Sequence, residues 1–250
     1  MKKTLLQAAN KAGSILLDNF GKIKSIYTKK GNSYYTNVDL AAEKAIISTI
    51  REKYPDHSIL SEEKGSLRTR SEYEWIIDPL DGTHNYINRL PLFGTSIALA
   101  HQGEVIMSAI YLPIFKEMYV AEKGKGSYCN GKRIHVSETK DAKKAFLVTD
   151  LTLRYHPEWR LQILKMLRNE VYDLRALGCA VISHAYVSRG SADGMFTTQM
   201  FPWDIAGGGL LIEEAGGKVT DFQGRRWKPV KGAFISSNKK IHSQLLRILE

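Results

Sequence analysis

Two aspartates, Asp78 and Asp81, close an apolar run that begins Trp75-Ile-Ile, and Gly82-Thr83 follow at once. Carboxylates this near one another repel unless a cation or a proton lies between them. A glycine and a hydroxyl residue opening a helix would offer free N–H groups to an anion. Two further acids stand beside predicted strand or helix ends: Glu62 after Ser58-Ile-Leu-Ser, and Asp204 behind Pro202-Trp203. An all-oxygen donor set suits hard divalent ions such as Mg²⁺ or Mn²⁺. Two such ions about 4 Å apart can stabilise the attacking and the leaving oxygen of a phosphoryl transfer. Thr83 is too weak an acid to ionise unaided and needs an acceptor, for which Asp39 is the candidate. Asp39 also reads as a helix-capping residue, and Glu62-Glu63 as solvated charge, so each acid taken alone carries a plain structural alternative.

The elements that must position these residues follow from periodicity. Leu5, Ala8, Ala9, Ala12, Leu16 and Phe20 share one face of a predicted helix over residues 2–20, which Gly21 stops. A second helix runs from Thr36–Asp39 to Lys53, with Thr36-Asn-Val-Asp39 resembling a capping box. The polar stretch 29–33 reads as a mobile turn and 66–72 as a polar loop. Three strands are expected near residues 96–100, 105–111 and 117–121, joined by hairpin connections into an antiparallel sheet. A second αβ layer follows. It has strands near 146–149, 194–197, 219–222 and 234–237, and helices over 159–167, 180–187 and 241–249. Pro202 and Gly216-Gly217 bracket a further helix, whose internal Gly207-Gly-Gly209 implies a closely packed neighbour.

The chain has 250 residues, 43% hydrophobic and 25% charged, a composition of ordinary globular proteins. No apolar run approaches the roughly 20 residues that span a bilayer. The opening Met-Lys-Lys-Thr-Leu-Leu is broken by Gln7, Asn10 and Lys11, so it reads as an amphipathic helix of a cytoplasmic protein rather than a leader. Two cysteines, Cys129 and Cys179, make no disulfide framework, and Cys179 reads as a small packed residue. The net charge of +10 comes from scattered basic residues, without the aromatic interleaving of a nucleic-acid platform.

With these residues assembled, the sequence resembles the inositol monophosphatase family of metal-dependent sugar phosphatases. The resemblance is carried by Trp75-Ile-Ile-Asp-Pro-Leu-Asp-Gly-Thr83, by Glu62-Glu63 upstream and by Trp203-Asp-Ile-Ala-Gly with Glu214-Ala-Gly-Gly downstream, and it extends along nearly the whole chain. It implies an α/β (α+β) fold, a layered αβαβα sandwich, as one domain over 1–250. The 1–140 half would supply most metal ligands, and the 141–250 half Asp204 and the substrate contacts. The implied activity is hydrolysis of a small phosphate monoester, inositol monophosphate or a related sugar phosphate, by direct attack of metal-activated water. One Mg²⁺ would be held by Glu62, Asp78 and the Leu80 carbonyl, and a second by Asp78, Asp81 and Asp204. A looser third ion would contact Glu62, and Mn²⁺ is a substitute metal. Thr83, Asp39 and Glu62 would be catalytic; Asp81, Gly82 and Thr83 would hold phosphate; Glu63 would stand behind the ligands. Gly178, Cys179, Ala180 and Thr197 would meet the substrate. A homodimer and lithium sensitivity complete the expectation.

Three positions depart from the family pattern. Ser33 falls where relatives carry an acid beside a loop lysine, here Lys29 or Lys30; His84 replaces a threonine or lysine; Thr197 replaces an acid that binds sugar hydroxyls. Fructose 1,6-bisphosphate, histidinol phosphate and 3′-phosphoadenosine phosphate therefore stand as alternative substrates, although Asn85-Tyr86 resembles the inositol type. Two rivals differ in kind. A haloacid-dehalogenase-type phosphatase also uses Asp…Asp-Gly-Thr, but with one residue between its acids where Asp78 and Asp81 have two. A regulatory protein binding RNA or a polymerase would use the basic surface instead.

Overall fold

The computed structural model describes residues 1–29, 33–150 and 157–249. Helix α1 (Lys2–Asn19) and helix α2 (Asn37–Arg51) lie against each other. Leu5, Ala8, Ala12 and Leu16 of the first meet Val38, Ala42, Ile46 and Ile50 of the second in one apolar cluster. The alanines on both stripes allow this close approach, and they are what made the two helices visible in the sequence. Helix α2 opens with a true capping box. The Thr36 hydroxyl accepts the Val38 N–H at 3.0 Å, and Asp39 Oδ2 accepts the Thr36 N–H at 2.8 Å. A small antiparallel hairpin, β1 (Ile26–Thr28) and β2 (Tyr34–Thr36), connects the helices.

Among the described residues two larger sheets follow. The first contains β3 (Ser58–Ser61), β4 (Gly65–Leu67), β5 (Tyr73–Asp81), β6 (Gly94–His101), β7 (Glu104–Leu112), β8 (Glu117–Glu122), β9 (Gly126–Cys129) and β10 (Lys132–Arg133). Its order is β10-β9-β8-β7-β6-β5-β3-β4, antiparallel except for the parallel pair β3 and β5. A short helix, α3 (Thr83–Ile87), leads from β5 toward β6. The second sheet contains β11 (Phe146–Thr149), β12 (Asp173–Ala176), β13 (Gly194–Met200), β14 (Lys218–Asp221) and β15 (Gly232–Ser237), in the order β12-β11-β13-β15-β14. Strand β4 replaces part of the polar loop expected over 66–72, and β12 had no sequence counterpart. Both are short edge strands whose pairing, rather than their own pattern, defines them.

Four helices complete the layers: α4 (Pro157–Leu167), α5 (Ala180–Ser188), α6 (Pro202–Glu214) and α7 (His242–Leu249). Buried residues of α5 and α6 share one cluster with both sheets, including Ala98, Ile110, Val148, Met195, Val181 and Leu211. Ile163 of α4 and Leu245 of α7 pack on Leu147, Phe196 and Ile235 of the second sheet. The order is therefore helices, sheet, helices, sheet, helices: the layered αβαβα sandwich. Helix α6 crosses the middle because its glycines leave room. A Cβ on Gly207 would overlap the Ser96 hydroxyl, one on Gly208 the His184 ring, and one on Gly209 would lie 2.7 Å from Trp227. Each glycine thus admits a different neighbour, which offsets the roughly 1 kcal/mol per residue that glycine costs a helix.

Candidate active site

The parallel pairing of β3 with β5 brings the first acids together. Ser61 stands opposite Ile77, and the Glu62 N–H donates to the Ile77 carbonyl at 3.2 Å. Glu62 and Asp78 therefore leave adjacent strand ends side by side, which no local motif could have specified. The β5–β6 register then shifts between Asp78 and Asp81, where Pro79 interrupts the ladder. This irregularity takes Leu80 and Asp81 out of strict alternation and delivers both acids to one end of the sheet. Gly82 turns the chain into α3 with φ +83°, and a Cβ there would lie 2.6 Å from the Leu92 carbonyl oxygen. Only glycine fits on both counts.

Asp204 arrives from the first turn of α6, where its Oδ2 also accepts the Phe201 N–H at 2.7 Å. Asp81 Oδ2 accepts the Val181 N–H at 2.6 Å and faces the Cys179 thiol at 3.2 Å. Cys179 is buried, and burial raises its pKa well above the ordinary thiol value. It acts as a packed thiol donor, in line with its sequence reading. Thr83 Oγ1 lies 3.0 Å from the Leu80 carbonyl and 3.3 Å from Asp39 Oδ1. Asp39 is fully buried beneath the cavity. Burial raises its pKa to about 6, against the lowering effect of the Thr36 hydrogen bonds.

Asp78 is buried, while Asp81 and Asp204 keep partial exposure. All three have raised pKa values, caused first by withdrawal from water. Glu62 repels each of them, and Asp81 adds to the repulsion on both Asp78 and Asp204. Uncompensated, clustered carboxylate charge of this kind fits a hard divalent cation. Among the described residues no three such side chains already close into a coordination shell. Glu62 shows one reason: its Oε1 is engaged at 2.8 Å by the Lys29 ammonium, which also pairs with Glu63. Burial disfavours the Lys29 charge, but Glu62 and Glu63 outweigh it and raise its pKa. Lys30, the other candidate loop lysine, lies outside the described residues.

A cavity of about 500 Å³ unites these groups. Ser33, Glu62, Asp78, Leu80, Asp81, Gly82, Thr83, His84, Gly178, Cys179 and Asp204 line it. Asp39, Glu63, Ala180 and Thr197 are not among its lining residues. Ala180 begins α5 with its side chain buried, and Thr197 is buried in β13, its hydroxyl 3.3 Å from Asp150. Both side chains are thus buried, and neither residue lines the cavity. His84 lines the cavity and sets its ring edge-on to Tyr34, with centroids 5.2 Å apart. Asn85 Nδ2 donates to the Leu177 carbonyl at 2.8 Å and the Leu92 carbonyl at 2.9 Å, fastening the approach to Gly178.

Sequence reasoning missed Asp150, Arg160 and Gln199, which also line the cavity. Asp150 follows strand β11 directly, and the rule that found Asp78, an acid at a strand's end, would have found it. Arg160 stands in an ordinary amphipathic helix and carried no signal. Glu43, fully buried in α2, was also missed. Its Oε1 accepts the Ser61 hydroxyl at 2.5 Å and the Lys64 N–H at 2.9 Å.

A layered αβαβα sandwich with acidic strand ends facing a glycine-initiated turn defines a class of protein, and comparison with known proteins names it. The family model described as "Inositol monophosphatase family" matches residues 1–250, and the chain belongs to that family. It is 38% identical to the Nus factor SuhB of Escherichia coli K12, over 98% of this chain and 94% of the relative. It is equally 38% identical to a fructose-1,6-bisphosphatase/inositol-1-monophosphatase of Aquifex aeolicus, over 96% and 92%. Among solved structures, the extragenic suppressor protein SuhB of Bartonella henselae superposes with a TM-score of 0.95 at 32% identity, over 100% of this chain and 98% of that one. An IMPase of Thermotoga maritima gives 0.90 at 32%, over 97% and 93%.

Proposed function

We propose that this protein is a Mg²⁺-dependent phosphoric monoester hydrolase acting on inositol monophosphate or a related sugar phosphate. The observation that carries the reading is the convergence of Glu62, Asp78, Asp81 and Asp204 on one cavity beside the Gly82–Thr83 turn. Glu62, Asp78 and the Leu80 carbonyl are the donors for one ion, Asp78, Asp81 and Asp204 for a second, and Glu62 borders a third. Mg²⁺ there supplies Lewis-acid polarisation of a phosphoryl oxygen and eases the ionisation of water at neutral pH. The Gly82 and Thr83 N–H groups hold the phosphate, and the Asp81 side chain borders it. The Thr83 hydroxyl orients the attacking water, with Asp39 accepting from Thr83 and Glu62 near the water. Direct in-line displacement inverts phosphorus and leaves no phosphoenzyme. Gly178 and Cys179 border the alcohol portion. The reading includes a cytoplasmic homodimer; among the described residues no helix is long and apolar enough to cross a membrane.

The test is phosphate release from inositol 1-phosphate with and without Mg²⁺, in the parent protein and in Asp81→Asn and Asp204→Asn. Release that requires Mg²⁺ and disappears in both variants supports the reading. A phosphorylated aspartate trapped on Asp78 or Asp81 would replace it with the phosphoenzyme route. The net charge of +10 favours a second reading, a regulatory protein binding RNA or a polymerase, and several relatives carry the name of a factor rather than of a phosphatase. Tight RNA binding at physiological salt without phosphate release would favour it, and the salt slope would separate specific binding from charge attraction.

A further inference from the structure

A second cavity, also about 500 Å³, lies at the C-terminal end of α6 and shares no lining residue with the acidic one. Asp204 stands in the first turn of α6 and Glu213 in its last, about 13 Å apart along the axis. Val105, Leu210, Trp227 and Pro229 give this second cavity an apolar lining. Glu104, Glu213 and Glu214 bring carboxylates to it, and Lys123, Arg226 and Lys228 bring cations. We propose that it binds a small organic cation, an apolar body carrying one ammonium group, with Glu213 as the counter-ion.

The charged groups differ in what already engages them. Lys123 Nζ stands 2.5 Å from Glu104 Oε2, and Arg226 Nη2 stands 3.2 Å from Glu104 Oε1. Glu214 accepts the Gly124 N–H at 2.7 Å and the Gly126 N–H at 2.8 Å, closing the turn from β8 into β9. Glu213 is the carboxylate left over: among the described residues no lysine or arginine forms an ion pair with it. The Trp227 indole N–H is buried and near enough to act on Glu213, yet it makes no hydrogen bond of ordinary geometry. Glu213 is partly buried, and withdrawal from water raises its pKa. The Trp227 N–H and Arg226 oppose that rise, while Glu214 and Glu104 add to it. A partly desolvated carboxylate without a counter-charge is costly, and a bound cation relieves that cost.

The backbone favours positive charge at the same point. Helix α6 ends here, so its last carbonyl groups place partial negative charge beside Glu213, and its last turn contains no basic residue. Glu213 and Glu214 are neighbours in the chain, and a cation at either relieves their mutual repulsion. The apolar side is firmly seated, because Trp227 packs on Gly209 where a Cβ would lie 2.7 Å from the ring. Arg226 and Lys228 set the upper limit on charge: a ligand with a second ammonium group would meet them at the rim. A volume of about 500 Å³ suits a small molecule with an aromatic or branched body.

The test uses the full chain, ¹⁵N-labelled at tryptophan, and follows the indole N–H resonances during titration. Tryptamine is the cationic probe, and tryptophol, with a hydroxyl in place of the amine, is its neutral counterpart. Trp227→Phe and Trp203→Phe assign the two resonances that decide, since Trp203 lines the acidic cavity and Trp227 the second one. Tryptamine is expected to shift the Trp227 resonance with a Kd of about 1 mM or tighter, leaving the Trp203 resonance in place. Tryptophol is expected to bind at least about tenfold more weakly, because it lacks the charge that Glu213 calls for. Glu213→Gln, of nearly the same volume, should reduce tryptamine to the affinity of tryptophol. The comparison of the two probes in the parent protein requires no variant, so it decides even where Glu213→Gln does not fold. Equal affinities for the two probes overturn the inference. So does a tryptamine shift at Trp203 in place of Trp227, or no shift up to about 10 mM.

Discussion

Glu43 Oε1 accepts the main-chain N–H of Glu63 at 3.1 Å, so a buried carboxylate on α2 fastens the corner from which Glu62 projects. The same oxygen takes the Lys64 N–H and the Ser61 hydroxyl, fixing the turn from both sides. Groups standing behind a metal ligand typically alter affinity 10- to 100-fold when removed. Glu43→Ala is therefore expected to weaken Mg²⁺ binding by about tenfold or more, measured by titration calorimetry without substrate. Glu43→Gln keeps an accepting oxygen and should restore most of the affinity. Equal Mg²⁺ affinity in the alanine variant and the parent would remove Glu43 from this role.

Thr83 has one hydroxyl proton and two acceptors, Leu80 O at 3.0 Å and Asp39 Oδ1 at 3.3 Å. The proposed role needs the oxygen and its proton, whereas the methyl group contributes only packing. Thr83→Ala should lower kcat by about a hundredfold or more, within the usual range for groups assisting proton transfer. Thr83→Ser should retain activity to within about tenfold. Single-turnover measurements with inositol 1-phosphate separate this loss from any change in substrate binding. Parallel losses in both variants would point to packing instead of the hydroxyl.

Much of this arrangement was legible because local rules and long-range pairing agreed. The alanine stripes of α1 and α2, the capping box at Thr36 and the Asp78–Thr83 motif all announce themselves in a few consecutive residues. Glu62 and Asp204 were legible as acids at predicted element ends, but which acids they would join was not, since the parallel β3–β5 pairing that places Glu62 beside Asp78 leaves no local trace. Asp150 and Arg160 stayed hidden for another reason. An acid after a strand and an arginine in an amphipathic helix are commonplace, and only the approach of the second sheet to the first gives them a shared cavity. Strands β4 and β12 were missed because edge strands this short derive their conformation from a neighbour.

The middle helix makes a stability prediction. Gly208 faces the buried His184 ring, and a Cβ would overlap ring atoms rather than the movable end of a flexible chain. Gly208→Ala gains about 1 kcal/mol of helix propensity. Overpacking a filled core costs about 1–3 kcal/mol, and the His184 ring is fully buried. The net change should be a loss, seen as a fall in Tm of about 2–4 °C per kcal/mol for a chain of this size. An unchanged or higher Tm would show that the interface between α5 and α6 yields.

His242 gives the acid sensitivity of the fold a specific source. The ring is buried, with Nε2 2.9 Å from the Thr220 hydroxyl and Nδ1 2.8 Å from the Ser237 hydroxyl. Thr220 Oγ1 also reaches the Asp221 carbonyl at 2.8 Å, so its proton is directed there and its oxygen accepts from Nε2–H. Ser237 then donates to Nδ1, and a second ring proton would displace that bond. Burial first, and repulsion from Lys218 second, lower the pKa from 6.5 to about 4. Between those values the unfolded chain binds a proton that the folded chain refuses. The contribution is complete above about pH 6.5 and is lost as pH falls toward 4. From pH 7.5 to 5.0 this site should remove roughly 2 kcal/mol of stability. His242→Gln keeps an amide donor and a carbonyl acceptor without titrating, so its urea midpoint should fall less over the same interval. His184, also buried and lowered to about 4, remains in the variant and leaves a residual acid loss. Identical pH slopes in parent and variant would assign the acid sensitivity elsewhere.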